Sequence, residues 1–231
     1  MTCNVTVDTL DGQTMPAYRA EPEGTPKAAI IVIQEIFGVN AGIRRKCDTL
    51  AEAGYLAIAP DLFWRIEPGI ELDPDIKPQM DRALSLMGQF NQDAGVRDIE
   101  AAIRYARDAS GGRKVGAVGY CLGGRLAYMT ATRTDVDASV GYYAVGVDGL
   151  LGEKHAIAHP LMLHIAGEDG FVDKETQAKM HEGLDDHPKV TLHDYPGEDH
   201  GFATEFGERR SDESARQADE RTMAFFAEHL G

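Results

Sequence analysis

Lys114-Val115-Gly116-Ala117-Val118-Gly119-Tyr120-Cys121-Leu122-Gly123-Gly124 decides the reading of this chain. An aliphatic run, Lys114 to Val118, leads into Gly-Tyr-Cys-Leu-Gly-Gly and then into a small-residue helical segment, Arg125 to Thr132. Strand, G-x-C-x-G-G and helix together make the nucleophile-elbow pattern, with Cys121 in the place usually held by serine. The turn is so tight that side chains at positions 119 and 123 would strike neighbouring backbone, so glycine stands at both. Such a turn exposes the Cys121 sulfur at the carboxyl edge of a sheet and points it at a helix N-terminus, where unpaired N–H groups and the dipole favour a thiolate. The same residues also read as a plain Gly-rich turn holding a buried, inert cysteine. Partners elsewhere in the chain weigh against that.

Outward from the elbow, apolar runs alternate with helical patterns. Strands are predicted at Ala29 to Gln34, Tyr55 to Ala59, Lys114 to Val118, Ala138 to Tyr143, Leu161 to Ala166 and Val190 to Tyr195. Short aliphatic runs that end in Gly, Pro or Asp and are separated by helices imply an α/β fold with a mostly parallel central sheet covered by helices on both faces. Asn4 to Tyr18, broken at Asp11-Gly12, predicts an antiparallel edge hairpin. Val96, Ile99, Ile103 and Ala106 recur at helical spacing in Asp93 to Asp108, leaving Arg97, Glu100, Arg104 and Arg107 for water. Further helices are predicted at Arg44 to Ala53, Lys77 to Gln89, Leu122 to Arg133, Lys174 to Asp185 and Ser214 to His229. Trp64 to Pro78, with three prolines and four acidic residues, reads as a long loop, of the kind that is solvated or lines a pocket.

The 231 residues suit one domain, 1–231, and a 43% hydrophobic, 26% charged composition is that of a chain that folds by itself. Thirty-eight acidic against 23 basic residues give a net charge of −15, which repels nucleic acid and anionic membrane. Met-Thr-Cys-Asn-Val-Thr-Val has no basic region followed by an apolar run, and no later stretch approaches a membrane span, so the expectation is a soluble, cytoplasmic protein. Cys3, Cys47 and Cys121 fit neither a disulfide framework nor a zinc pair and read as reduced thiols.

An α/β hydrolase runs nucleophile, acid, then histidine, the acid after a late strand and the histidine after the last one. Gly167-Glu168-Asp169-Gly170-Phe171-Val172 follows the strand Leu161 to Ala166, and Pro196-Gly197-Glu198-Asp199-His200-Gly201-Phe202 follows Val190 to Tyr195. The pattern G-x-D favours Asp169 as the orienting acid, with its neighbour Glu168 the alternative; Asp173 reads as a helix cap. His155, His159, His181, His187 and His229 read as surface or helix-end residues, and His164 and His193 as strand residues. His193, Asp199 and His200 do not match a recognised metal pattern, so no metal is expected. After the strand Ala29 to Gln34, Glu35-Ile36-Phe37-Gly38 loops over the sheet edge, so the oxyanion hole is expected from the backbone N–H groups of Ile36 and Leu122. Glu35 reads either as a carboxylate acting on the thiol or as an ion-pair partner of an arginine such as Arg125.

The segments QEIFGVN, GYCLGG and EDHGF, with AGVRDIEAAIRYAR and VGYYAVG, resemble the dienelactone hydrolase family over nearly the whole chain. An elbow cysteine is uncommon among α/β hydrolases, which makes the resemblance specific. It implies an α/β-hydrolase fold and carboxymethylenebutenolidase-type activity, with Cys121, Asp169 and His200 as nucleophile, acid and base. It also implies that Glu35 takes the thiol proton, and a monomer that needs no cofactor and opens a small-molecule ester or lactone in aromatic-compound degradation. At the two positions where the best-known members hold the substrate carboxylate with arginine, this chain has Met80 and Thr204, neither able to pair with a carboxylate. Arg82, Arg209 and Arg210 are the nearby cations, although side chains two residues apart on a helix point in different directions. Met80, Thr204 and Phe37 are the expected substrate-binding residues. A general esterase for neutral esters, a thiol redox sensor and a catalytically silent binding module are the alternative readings.

Overall fold

Val7, Met15 and Ala17 are fully buried while their strand neighbours are partly exposed, the period-two signature of a hairpin with one wet face. This hairpin joins β1 (Val5–Asp8) to β2 (Thr14–Ala20), antiparallel with Val7 opposite Met15. The computed structural model describes residues 3–231; Met1 and Thr2, which open the stretch read as lacking a leader, lie outside them. The chain divides into two compact units, one ending at Gly116 and the other beginning at Ala117.

In the first unit β3 (Ala29–Ile33), α1 (Ala41–Glu52), β4 (Leu56–Pro60), α2 (Lys77–Gln89) and α3 (Gln92–Ala109) follow the hairpin. The strand order is β1-β2-β4-β3, with β2 antiparallel and β3 parallel to β4. Every residue of β3 and β4 is buried, as continuous aliphatic runs require when both faces are covered, and α1 and α3 pack on both strands. Helix α1 begins at Ala41, ahead of the expected Arg44, because the Asn40 side chain caps it by accepting the Ile43 N–H at 3.1 Å.

The loop after β4 is strapped down along its length. Arg65 donates twice to the buried Asp98 on α3, at 2.7 and 2.9 Å, and once to Asp11, and the Trp64 indole N–H reaches Asp98 at 3.0 Å. Further on, Gly38 and Glu71 form a β-bridge and Leu72 N–H donates to the Phe37 carbonyl at 2.9 Å. Gly38 lies at φ +76°, and a Cβ there would fall 1.9 Å from the Ile70 carbonyl oxygen, so only glycine allows this approach.

Strand β5 (Val115–Tyr120) runs from the first unit into the second, where α4 (Leu122–Arg133), β6 (Ala138–Tyr142), β7 (Leu161–Ala166), α5 (Lys174–Leu184), β8 (Val190–Tyr195) and α6 (Asp212–Leu230) follow in order β5-β6-β7-β8. The strands β6, β7 and β8 are parallel, with His164 opposite Tyr142 on one side and His193 on the other. A 3-10 segment, Asp148–Ala156, was not expected from the sequence, since its burial shows no helical face. Tyr128, Leu163, Ile165, Met180 and Leu184 centre the apolar core of this unit. A buried polar ladder fixes α6 to the strands: His164 bonds Tyr195 Oη at 2.8 Å and Thr222 Oγ1 at 3.0 Å, and Tyr142 Oη lies 2.6 Å from Thr222 and donates to Asp219 at 2.9 Å. Burial holds His164 well below its usual range, so it serves here as a neutral ring. The parallel strands in both units, with the antiparallel hairpin at one edge, give the α/β class expected.

His181 on α5 bridges Asp185 at 2.9 Å and Asp194 of β8 at 3.0 Å. Burial alone would lower its pKa, but the hydrogen bonds to both carboxylates outweigh that and raise it above 6.5. A raised folded-state pKa means that this clasp stabilises fully below the unfolded value and is lost as pH rises through the folded one. Melting temperatures measured from about pH 5.5 to about pH 8.5 should therefore fall more steeply on the alkaline side for the native chain than for His181→Gln.

Candidate active site

Gly119, the last small residue before the elbow, could carry no side chain: a Cβ would sit 1.9 Å from the carbonyl oxygen of Gly123. The close approach forces Cys121 into φ +57°, ψ −114°, a conformation that L-residues rarely hold. Its backbone is secured on both sides, by Cys121 N–H donating to the Tyr142 carbonyl at 3.0 Å and Arg125 N–H donating to the Cys121 carbonyl at 3.2 Å. Helix α4 starts at the next residue, so the N–H of Leu122 opens its first turn and has no acceptor within the helix. The thiol is buried, 8% exposed, at the positive end of that helix.

Strands β5, β7 and β8 end at Tyr120, Ala166 and Tyr195, so the loops that follow them emerge from the same edge. Gly167 N–H donates to the Tyr195 carbonyl at 2.9 Å and Glu168 N–H to the Glu198 carbonyl at 2.7 Å, carrying the ladder past the strands. His200 Nδ1 then lies 2.9 and 3.1 Å from the two oxygens of Asp169, both side chains almost wholly buried. Glu168 instead points outward to Lys174 at 2.9 Å. Asp169 also accepts the N–H groups of Phe171 at 2.8 Å and Val172 at 3.2 Å, which leaves the carboxylate little freedom to rotate.

Burial would lower the His200 pKa, but hydrogen bonds to Asp169 and to Cys121 and the charge at both raise it to about 10. The imidazole thus lies between a carboxylate and a thiol, hydrogen-bonded to both. Aromatic rings enclose it: Tyr143 lies 5.0 Å away on one side and Phe171 4.8 Å away on the other.

Glu35, Ile36 and Phe37, all buried, follow β3, and Met80 lies on α2; these four belong to the first unit. Thr204 lies beyond His200, with its N–H on the Gly201 carbonyl and its own carbonyl accepting from Arg210 at 2.6 Å. Arg82 is paired with Glu67 and Arg210 with Asp212, while Arg125 donates to the Gly146 carbonyl. Among the described residues no helix is long and apolar enough to cross a membrane.

Residues 15–230 match the Dienelactone hydrolase family. The chain belongs to that family. It is 42% identical to a protein of Azospirillum brasilense over 235 residues, 99% of each chain. To a carboxymethylenebutenolidase of Pseudomonas putida it is 40% identical over 229 residues, 98% of this chain and 97% of that one. A solved structure from Klebsiella pneumoniae subsp. pneumoniae, 28% identical, superposes with a TM-score of 0.85 over 96% of each chain. The dienelactone hydrolase fold is thus shared along the chain.

Two features of this family member escaped the sequence. Tyr143 is the second non-glycine residue with positive φ, +37°, among those described, and its ring walls His200. Asp199 accepts the N–H of His200 at 2.6 Å and of Gly170 at 3.1 Å, tying the histidine loop to the acid loop; these backbone hydrogen bonds hold its carboxyl below the usual range. Its place beside His200 was the only sequence signal.

Asp199→Ala should speed solvent exchange of the His200 Nδ1 proton in NMR and cost about 1 kcal/mol of stability after solvent screening. Asp199→Asn, whose amide oxygen still accepts both N–H groups, should restore the native exchange rate.

Proposed function

We infer that this hydrolase cleaves ester or lactone bonds with Cys121 as its nucleophile, His200 as acid and base, and Asp169 as the group that orients His200. The observation that carries the reading is the buried His200 hydrogen-bonded to Asp169 at 2.9 Å and to Cys121, with its proton held up to a pKa of about 10. An imidazole held between Asp169 and the Cys121 sulfur is placed both to take the thiol proton and to return it to a leaving group.

In this reading the Cys121 thiolate attacks the carbonyl carbon, and the N–H groups of Leu122 and Ile36 stabilise the oxyanion. The carbon–oxygen bond to the leaving group breaks as His200 delivers its proton to that oxygen. The neutral imidazole then takes a proton from water, whose oxygen attacks the thioester. The carbon–sulfur bond breaks, and the carboxylic product leaves a thiolate opposite a protonated His200. Glu35 accepts the thiol proton whenever Cys121 is in its thiol form, a role supported by its burial directly after β3. Every proton and electron pair is supplied by side chains, substrate and water, so the cycle needs no cofactor. The chain is read as one catalytic domain, 1–231, supported by the family match across residues 15–230, and as a cytoplasmic monomer.

The name carboxymethylenebutenolidase of the Pseudomonas putida relative supports a lactone of the butenolide class as the substrate proposed here. Phe37 supplies apolar surface for it, and Met80 and Thr204 bring no cation. Arg82 and Arg210 have carboxylate partners of their own, and Arg209 stands over the Phe171 ring.

Mixing the enzyme with an activated aryl ester should release a burst of about one equivalent of phenol per chain, which Cys121→Ala abolishes. Absence of turnover by reduced native enzyme would refute the reading. With Met80 and Thr204 in place of cations, kcat/KM for the methyl ester of a carboxymethylenebutenolide should equal or exceed that for the free acid; a strong preference for the acid would show that a cation serves the substrate after all.

A further inference from the structure

Phe171 is a large apolar side chain left 60% exposed beside a buried imidazole, and it is held there firmly. Its N–H donates to the Asp169 carboxylate that orients His200, its ring centroid lies 4.8 Å from the imidazole at 65°, and the Arg209 guanidinium carbon stands 6.0 Å over the ring. A ring braced by an acid loop, an imidazole and a cation keeps one position while still presenting apolar surface to solvent. A ring so braced offers its apolar surface, in a fixed place, to a group bound beside His200.

Proton delivery fixes what that would be. His200 can protonate the leaving oxygen only within hydrogen-bond reach, about 3 Å. The substituent on that oxygen therefore begins within a bond or two of the imidazole, whose centroid lies 4.8 Å from that of the Phe171 ring. We propose that Phe171 contacts the alcohol part of the substrate and sets leaving-group specificity, favouring flat aryl and enol groups over compact saturated ones. A planar π-system can meet the phenyl ring edge-to-face or offset-stacked, whereas a small saturated group leaves most of it wet. The proposal rests on the reading of His200 as the acid that serves the leaving group.

The test compares kcat/KM for the phenyl and trifluoroethyl esters of one acid, in the native enzyme, Phe171→Ala, Phe171→Leu and Phe171→Tyr. Taking the phenyl-to-trifluoroethyl ratio relative to the native enzyme cancels the intrinsic reactivity of the two esters. The ratio should fall about five- to tenfold in the Ala and Leu variants and stay near native in the Tyr variant. The pH dependence of kcat/KM should not move in any of them, since His200 keeps Asp169 and Cys121. Equal losses for both esters, or a ratio unchanged by Phe171→Ala, would overturn the proposal by showing that Phe171 only props His200. If the native enzyme forms no acyl-enzyme with either ester, the catalytic reading itself fails, and this proposal goes with it.

Discussion

One backbone turn without room for a side chain governs the rest of this site. The carbonyl oxygen of Gly123 comes to 1.9 Å from where a Cβ of residue 119 would be, so the chain can reverse from β5 into α4 only with glycine there. The reversal places Cys121 at φ +57°, a conformation costing on the order of 1–3 kcal/mol, which the hydrogen bond to the Tyr142 carbonyl and the first turn of α4 offset. Tyr143, just past the strand that holds Cys121, is also at positive φ, and its ring packs on His200. Strain at the ends of β5 and β6 thus sets both Cys121 and one wall of His200.

Asp169 and His200 depend on a second constraint, the parallel register of β7 and β8, which ends with Ala166 opposite Tyr195. Because the ladder continues through Gly167 and Glu168, the two loops leave the sheet already paired. Two carboxylates then lock them reciprocally: Asp169 in the acid loop accepts from the His200 ring, and Asp199 in the histidine loop accepts from Gly170 N–H. A displacement of either loop would break bonds of both kinds, so the imidazole is oriented by backbone geometry as much as by its own acid. That rigidity is what a proton relay needs, since misplacement by about 1 Å can cost a hundredfold in rate.

The elbow and the chain order of thiol, acid and histidine were legible in sequence because each is dictated by a local rule: a steric one at Gly119 and the position of loops at parallel strand ends. Strand and helix limits were legible within a few residues wherever apolar spacing was strong, and failed where a polar side chain decided them, as Asn40 does for α1. The 3-10 segment Asp148–Ala156 turns only Leu150 and Leu151 to the core, too short an apolar signal to betray it. Asp199, Tyr143 and Phe171 were illegible for another reason. Each acts through a contact between segments far apart in sequence, or through a torsion that no residue type announces, and an aspartate or phenylalanine in a loop reads the same with or without such a contact.

That division separates reaction from specificity in physical terms. The residues proposed to make and break bonds sit where backbone constraints admit few sequences: Cys121 at the elbow, and Asp169 and His200 on paired loops. Of the cations near the expected carboxylate positions, Arg82 is engaged with Glu67 and Arg210 with Asp212, while Arg209 stands over the Phe171 ring, which itself lies beside His200. Side chains of this kind can be exchanged without disturbing the elbow or the reciprocal lock, because they project from loops whose backbone is already fixed. A scaffold built this way can keep its backbone constraints while the side chains on those loops are exchanged.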